Sequence, residues 1–276
     1  MSRATPSPPR RMVEPPRWRV LCVVALTLAI VAPIFALARH TRAAPFAGFG
    51  VLAVAVGAPF AALLLGSIGE WLVHRYLMHR RWRWPLLTAI FELHHRGHHH
   101  IHFTPDRYVH AGAINYIPVY PPRPAELCTS GTSRALSMLA QLGLYLVIAL
   151  VGVGAPTALV TRNTAFTAVL GAGTLVLCYL FVRVHDVVHY PGQRWMERRA
   201  LFRFLDRHHY IHHIDTAANT NFLLPLGDLL FGTLRQELTP AELARWPSYE
   251  AARERLVNES EVDARVVMLA DQATGS

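Results

Sequence analysis

Four long apolar runs constrain this chain more than any other feature. They cover Val20–Ala38, Phe46–Val73, Ala135–Ala155 and Ala165–Val184, and none carries a charge in its middle. A helix needs about 20 apolar residues to cross the hydrocarbon core of a bilayer, so each run is long enough to span. Pro33 and Pro59 fall inside runs, which membrane helices tolerate because neighbouring groups satisfy the freed backbone. The first run is long for a signal-peptide core and lacks a convincing small-residue cleavage site, so it reads as a span. Composition agrees. The 276 residues are 52% hydrophobic and only 16% charged, against about 25% charged in a soluble domain. That excludes an ordinary soluble enzyme, and it equally excludes a largely disordered chain. Cys22, Cys128 and Cys178 are far apart and form no C-x-x-C, so neither a disulfide framework nor a thiolate zinc site is indicated.

Charge sets the expected topology. The net charge is +9 and every basic residue is arginine. The arginines flank the apolar runs rather than forming a patch interleaved with aromatics, so they indicate no nucleic-acid partner. Arg3, Arg10, Arg11, Arg17 and Arg19 precede the first run, Arg39 and Arg42 follow it, and Arg162 alone separates the third run from the fourth. The middle loop, from His74 to Arg134, and the part after the fourth run are both arginine-rich. The positive-inside rule then puts the N-terminus, the middle loop and the C-terminus in the cytoplasm. All histidines except His40 lie in the middle loop or from His185 onward, so this topology collects them on one membrane face. The expected fold is all-α, with about four transmembrane helices and a cytoplasmic, histidine-rich helical cap. It divides into a disordered Pro/Arg-rich tail (1–18), one membrane domain (19–235) and a polar, partly helical tail (236–276). In that last part Thr239 before Pro240 reads as an N-cap and helix start.

The histidines form four clusters. His74 and His79 make H-x4-H at the end of the second run. His95, His98 and His99 make H-x2-H-H. His185 and His189 make H-x3-H at the end of the fourth run, and His209, His212 and His213 make a second H-x2-H-H. On an α-helix, residues three and four apart share a face, so each triplet aims its imidazoles one way, and His185 aligns with His189. His74 and His79 are five apart, roughly 140° around an ideal helix. They require the helix to end or bend, or each to serve a different metal. Ten imidazoles exceed one ion's capacity and suit two, with about five nitrogens each; thiolate-free imidazole sets suit iron, zinc, copper or nickel. Glu70, Glu92, Asp186, Asp206 and Asp215 are the carboxylates placed to hold the far ring nitrogens. His94, His100 and His208 adjoin the clusters as spacers or supporting groups, while His40, His102 and His110 read as ordinary helix-end or interfacial residues. Asn219 and Asn221 read as turn residues over the site.

The segments GEWLVHRYLMH (Gly69–His79), HRGHH (His95–His99), HDVVH (His185–His189) and HHYIHH (His208–His213) together resemble the fatty acid hydroxylase and sterol desaturase superfamily of integral-membrane di-iron enzymes. Two further segments fit: DRYV from Asp106, followed by Pro121 and Pro122, and TNFLLPLGDLLFGTL (Thr220–Leu234). The resemblance covers roughly Ala62–Leu234. EWLVHRYLMH and VHDVVH are also similar to carotenoid ring hydroxylases, whereas the long proline-bearing loop looks more like the fatty acyl branch. One position departs from that branch: Gln193 stands where its members tend to carry a histidine, and His185 would substitute. The resemblance implies two iron ions, with zinc as a possible substitute, held by the ten clustered histidines, with Glu70 and Asp186 supporting them. It implies O2 as co-substrate and hydroxylation or desaturation of a lipid from the bilayer, a fatty acyl chain foremost, then a sterol or a carotenoid. The tail before the first run is too short for a cytochrome b5-like domain, so electrons would come from a separate donor such as cytochrome b5 or ferredoxin with its reductase.

A metal transport or binding protein is the alternative from a different class. Transport calls for ionisable residues along a pathway through the spans, which the middles of these runs lack. A haem cytochrome would place histidine pairs deep in facing spans, and no H-E-x-x-H or serine nucleophile motif indicates a peptidase.

Overall fold

A computed structural model describes residues 14–102, 139, 142–143, 145–189 and 195–245. The described residues are helical, with no strand among them. Helix α1 spans Arg17–His40 and α2 spans Phe49–Met78. Helix α3 (Pro85–Phe91) runs straight into a π-helical segment, Glu92–His102. Helix α4 covers Tyr145–Thr161, α5 Thr164–His189, α6 Ala200–Ile214, α7 Leu226–Phe231 and α8 Pro240–Arg245. Three of these, α1, α2 and α5, are long and apolar enough to cross a membrane.

The expected runs correspond to helices with shifted ends. The second run ends at Val73 by hydropathy, yet α2 continues to Met78. The fourth ends at Val184, yet α5 continues to His189. Backbone hydrogen bonding carries a helix past the last apolar residue wherever polar side chains find partners, and here the extra turns carry histidines. The third run is the exception. Its described helix, α4, is a shorter apolar element that ends six residues beyond the expected Ala155, at Thr161. Residues 103–138 lie outside the described part, and with them Asp106, His110, Pro121, Pro122 and Cys128; so do the 1–13 tail, Gln193 and everything after Arg245.

Small residues bring α1, α2 and α5 together. Ala38, Ala53, Ala58, Ala61 and Ala62 are buried against Phe166 and Leu170, so the backbones approach closely, as membrane helix interfaces favour. A second cluster packs Val23 and Val31 of α1 against Leu64, Ile68 and Trp71 of α2 and Phe231 of α7. Outward-facing apolar side chains such as Leu21, Leu28, Phe60 and Val176 stay exposed, as a lipid-facing surface would leave them. At one end of the bundle Asn163 ties α5 to α1. Its Oδ1 accepts the Phe166 N–H at 3.0 Å, capping α5, while its Nδ2 donates to the Ala38 carbonyl at 2.8 Å. Arg162 closes α4 in the left-handed region (φ 50°).

Departures from α-geometry fall at two kinds of place. Pro59 of α2 and Pro156 of α4 follow π-helical segments at Ala53–Gly57 and Ile148–Gly154. Proline removes one N–H and crowds the carbonyl four residues back, and a wider turn relieves that crowding. Pro33 lies within α1 without such a segment. The π-segments at His74–Met78 and Glu92–His102 contain no proline; they contain histidines. The C-terminal helix α8 starts as the sequence predicts, with a reciprocal capping box. The Glu242 N–H donates to Thr239 Oγ1 at 3.1 Å, and the Thr239 N–H donates to Glu242 Oε2 at 2.8 Å.

Candidate metal centre

Four chain segments converge at the end of the bundle where α2 and α5 finish. The end of α2 contributes His74 and His79, the π-segment after α3 contributes His94, His98 and His99, α5 contributes His185 and His189, and α6 contributes His209, His212 and His213. Their ring nitrogens sort into groups that could each hold a metal ion. His74, His79, His94, His99 and His212 form one; His98, His185, His189 and His209 form another; His98, His99 and His213 link the two. Within each, the ligand atoms lie within 4.8 Å of one another.

The spacing fits the coordination shell of a first-row ion. Two nitrogens each about 2.0–2.1 Å from one ion lie about 3.0 Å apart at a right angle and about 3.4 Å apart at a tetrahedral angle. The Nε2 pairs His74–His94, His79–His212 and His94–His99 are 2.9, 3.2 and 3.3 Å apart. In the second group His185–His189 and His189–His209 are 3.2 and 3.1 Å apart. His213 Nε2 lies 3.2 Å from His209 Nε2, and its ring stacks on His99 at 4.2 Å. The buried Nδ1 of His99 has no hydrogen-bond partner, a cost that a native site normally avoids.

A backbone carbonyl decides the tautomer of His74 and of His212. His74 Nδ1 donates to the Thr220 carbonyl at 2.5 Å, and His212 Nδ1 donates to the Ala218 carbonyl at 2.7 Å. A neutral imidazole has one N–H, so Nε2 of each ring presents a lone pair to the cluster. This is the usual support for a metal-binding histidine. Burial first, and then the surrounding imidazoles, holds His79, His94, His98, His99, His209 and His212 well below the ordinary histidine pKa. These rings are neutral at physiological pH, the state that binds metal.

The predicted histidines converge with one exchange. His95 belongs to none of these groups and His94 takes the place expected of it. The H-x2-H-H reading assumed an α-helix, but Glu92–His102 is π-helical. A π-turn joins residue i to i+5, which puts His94 and His99 on one face. His95 instead borders an open cavity of about 550 Å³ lined by Arg81, Phe91, Glu92, Arg96 and His100, with its Nδ1 2.8 Å from His79 Nδ1. The same geometry resolves the five-residue gap at the end of α2. The His79 N–H donates to the His74 carbonyl at 3.1 Å, and both rings enter one group. α6, by contrast, is a regular α-helix. His209 and His213 share its face as expected, while His212 turns to the other group.

Glu70, Glu92 and Asp215 have partners other than ring nitrogens. For His74 and His212 the supporting acceptor is a backbone carbonyl, not a carboxylate. Glu70 accepts the Phe222 N–H at 2.5 Å. Glu92 pairs with Arg96 at 3.0 Å and Arg81 at 3.8 Å, and Asp215 pairs with Arg235 at 2.9 Å. Asp186 is buried beside His185, 3.9 Å from Arg183, and Asp206 is also buried. His208 is buried with Nε2 2.7 Å from the Asn221 carbonyl, and His40 and His100 are exposed.

The loop between α6 and α7 carries Asn219 and Asn221, expected as turn residues over the site; Asp228 of α7 and Thr233 just after it are residues that sequence reasoning passed over. Asn219 sits at φ 53°. Its Nδ2 donates to the carbonyls of His208 and Arg235, and its Oδ1 accepts the Arg235 N–H. Asn221 Nδ2 reaches the Ser67 carbonyl at 2.7 Å, anchoring the loop on α2. Asp228, fully buried, gathers the N–H groups of Thr220 and Asn221 and the hydroxyls of Thr220 and Thr233. Trp71 of α2 closes the arrangement, stacking on Phe231 at 3.8 Å and donating Nε1 to Thr233 Oγ1 at 2.9 Å. The sequence cue for Asp228 and Thr233 was their place in the Thr220–Leu234 segment, and for Trp71 its place in Gly69–His79.

Comparison with protein-family models, with curated proteins and with solved structures finds no match. What the centre can do is therefore decided by its own donors. These are imidazoles, buried or half-buried, in two adjoining sets, with aromatic side chains on the side towards the apolar helices. Phe181 stacks on His185 at 5.6 Å, and Phe222 meets the rings of His185 and His209 edge-on at 5.4 and 4.8 Å.

Proposed function

We propose that this chain is a membrane-bound di-iron oxygenase of the fatty acid hydroxylase and sterol desaturase type, hydroxylating a lipid, a fatty acyl chain foremost. The observation that carries the reading is the pair of adjoining all-imidazole groups at the ends of two apolar helices. Iron held in these groups would supply O2 activation and removal of hydrogen from an unactivated C–H bond.

The protein's own residues supply the rest. The carbonyls of Ala218 and Thr220 keep Nε2 of His212 and His74 free of protons and aimed inward. Burial keeps the rings of His79, His94, His98, His99 and His209 neutral. Phe181 and Phe222 exclude water from the membrane-facing side of the four-histidine group. An apolar lipid tail would arrive from the bilayer between α2 and α5, and a separate electron donor from the opposite, aqueous side. The arginine distribution supports a cytoplasmic location for the N-terminus, the histidines and the C-terminus.

Whole-cell lipid mass spectrometry tests this. Cells expressing the chain are compared in air with cells expressing a His212→Ala, His213→Ala variant, in a host that supplies ferredoxin and cytochrome b5 systems. A lipid gaining one oxygen only with the unmodified chain is the expected result, and loss of two hydrogens would make the reaction a desaturation. No difference, with folded and iron-loaded protein, would overturn the enzymatic reading in favour of metal transport or buffering.

A further inference from the structure

The two metal groups are supported differently. The loop from Ala218 to Asn221 gives hydrogen-bond acceptors to His212 and His74, and both rings belong to the five-histidine group. To the four-histidine group the same loop presents the ring of Phe222, an apolar contact with His209 and His185. One side chain organises the loop. Asp228 Oδ1 accepts the Thr220 N–H at 2.9 Å, the Thr220 hydroxyl at 3.1 Å and the Thr233 hydroxyl at 2.6 Å. Its Oδ2 accepts the Asn221 N–H at 2.8 Å and lies 3.4 Å from His208 Nε2. Thr220 is thus held at both its N–H and its hydroxyl, and its carbonyl is the atom that holds His74.

We propose that Asp228 is a positioning residue for one metal only: through Thr220 it sets the affinity of the five-histidine group, while the four-histidine group binds its ion independently. This rests on the metal-binding reading above. A ligand's outer-shell partner typically governs about 10–100-fold in metal affinity, and here that partner is gripped by a carboxylate with no exposed surface. A purely architectural carboxylate would instead loosen both groups together, because α6 feeds histidines to both.

The test is a cobalt titration of the full chain, purified in detergent and stripped by chelator, followed by absorption and by equilibrium dialysis. The unmodified chain should take two cobalt ions. Asp228→Asn, which turns an amide N–H2 towards existing donors, should keep one ion at unchanged affinity and bind the other about 10–100-fold more weakly. His189→Ala should remove the ion that Asp228→Asn leaves intact. If Asp228→Asn yields no folded chain, Thr220→Val decides the matter. It removes the hydroxyl bond to Asp228 at nearly constant shape, and it should weaken the same single ion by a smaller factor. Equal weakening of both ions, or of neither, would overturn the inference. Failure of the unmodified chain to take two ions would overturn the metal centre itself and this inference with it.

Discussion

The rings of His74 and His79 stack with centroids 4.9 Å apart, although five residues of α-helix would turn them roughly 140° from each other. The turn between them is π-helical, and its i to i+5 hydrogen bond returns the chain to the same side. The same device aligns His94 with His99. A π-turn has poorer packing than an α-turn and is seldom retained without a use. Here it converts a spacing unsuited to a shared face into one that converges.

The exchange of His94 for His95 is directly measurable. His94→Ala removes a member of the five-histidine group and is expected to lose one of two ions at stoichiometric metal. His95→Ala should retain both at saturation, because its contact is to His79 from outside the group. Elemental analysis of the purified variants decides it, and the opposite result would restore an α-helical register for this segment.

Metal removal should destabilise the chain. An ion that binds only the folded state adds about 4 kcal/mol per site at a thousandfold excess over its Kd. Chelation should therefore lower the thermal midpoint in detergent, and added iron or zinc should raise it again. Amide exchange should quicken first in α6 and in Glu92–His102, whose histidine-rich faces meet one another across the centre. An unchanged midpoint would mean that no ion is bound there.

Stability of the metal-free chain should depend on pH in one direction. Burial keeps His79, His94, His98, His99, His209 and His212 neutral in the folded state, while unfolded histidines take up protons as pH falls through about 6.5. The unfolded state then binds more protons, so stability falls with pH below that value and is retained above it. Protons compete for the same lone pairs as metal, so ion release should follow the same direction. A flat midpoint between about pH 5 and pH 7.5 would contradict neutral, buried rings.

Asn219 combines a left-handed backbone with side-chain bonds that close the loop. Asn219→Ala removes those bonds and retains the strain, and should cost about 2–4 kcal/mol. Asn219→Gly also loses the bonds but relieves the backbone, so it should be the milder change. Thermal unfolding of the two variants gives the order; an alanine variant as stable as the glycine variant would remove the role of φ.

The sequence alone determined a good deal. Uncharged apolar runs marked α1, α2 and α5, since membrane insertion depends on local composition over about 20 residues. Histidines four apart marked the facing pairs on α5 and α6, since those helices keep α-periodicity. Thr239 before Pro240 marked the start of α8, where the cap bond spans three residues. Each of these features is set by neighbours within a turn or two. The tertiary structure alone decided which imidazoles join which group, because the π-turns that rotate His79 and His94 inward have no proline to announce them. It also decided what supports the rings. His74 is held by Thr220, 146 residues away in sequence, and Trp71 by Thr233, 162 residues away. No periodicity encodes such pairs; they form because folding brings α2 against the loop that Asp228 ties together.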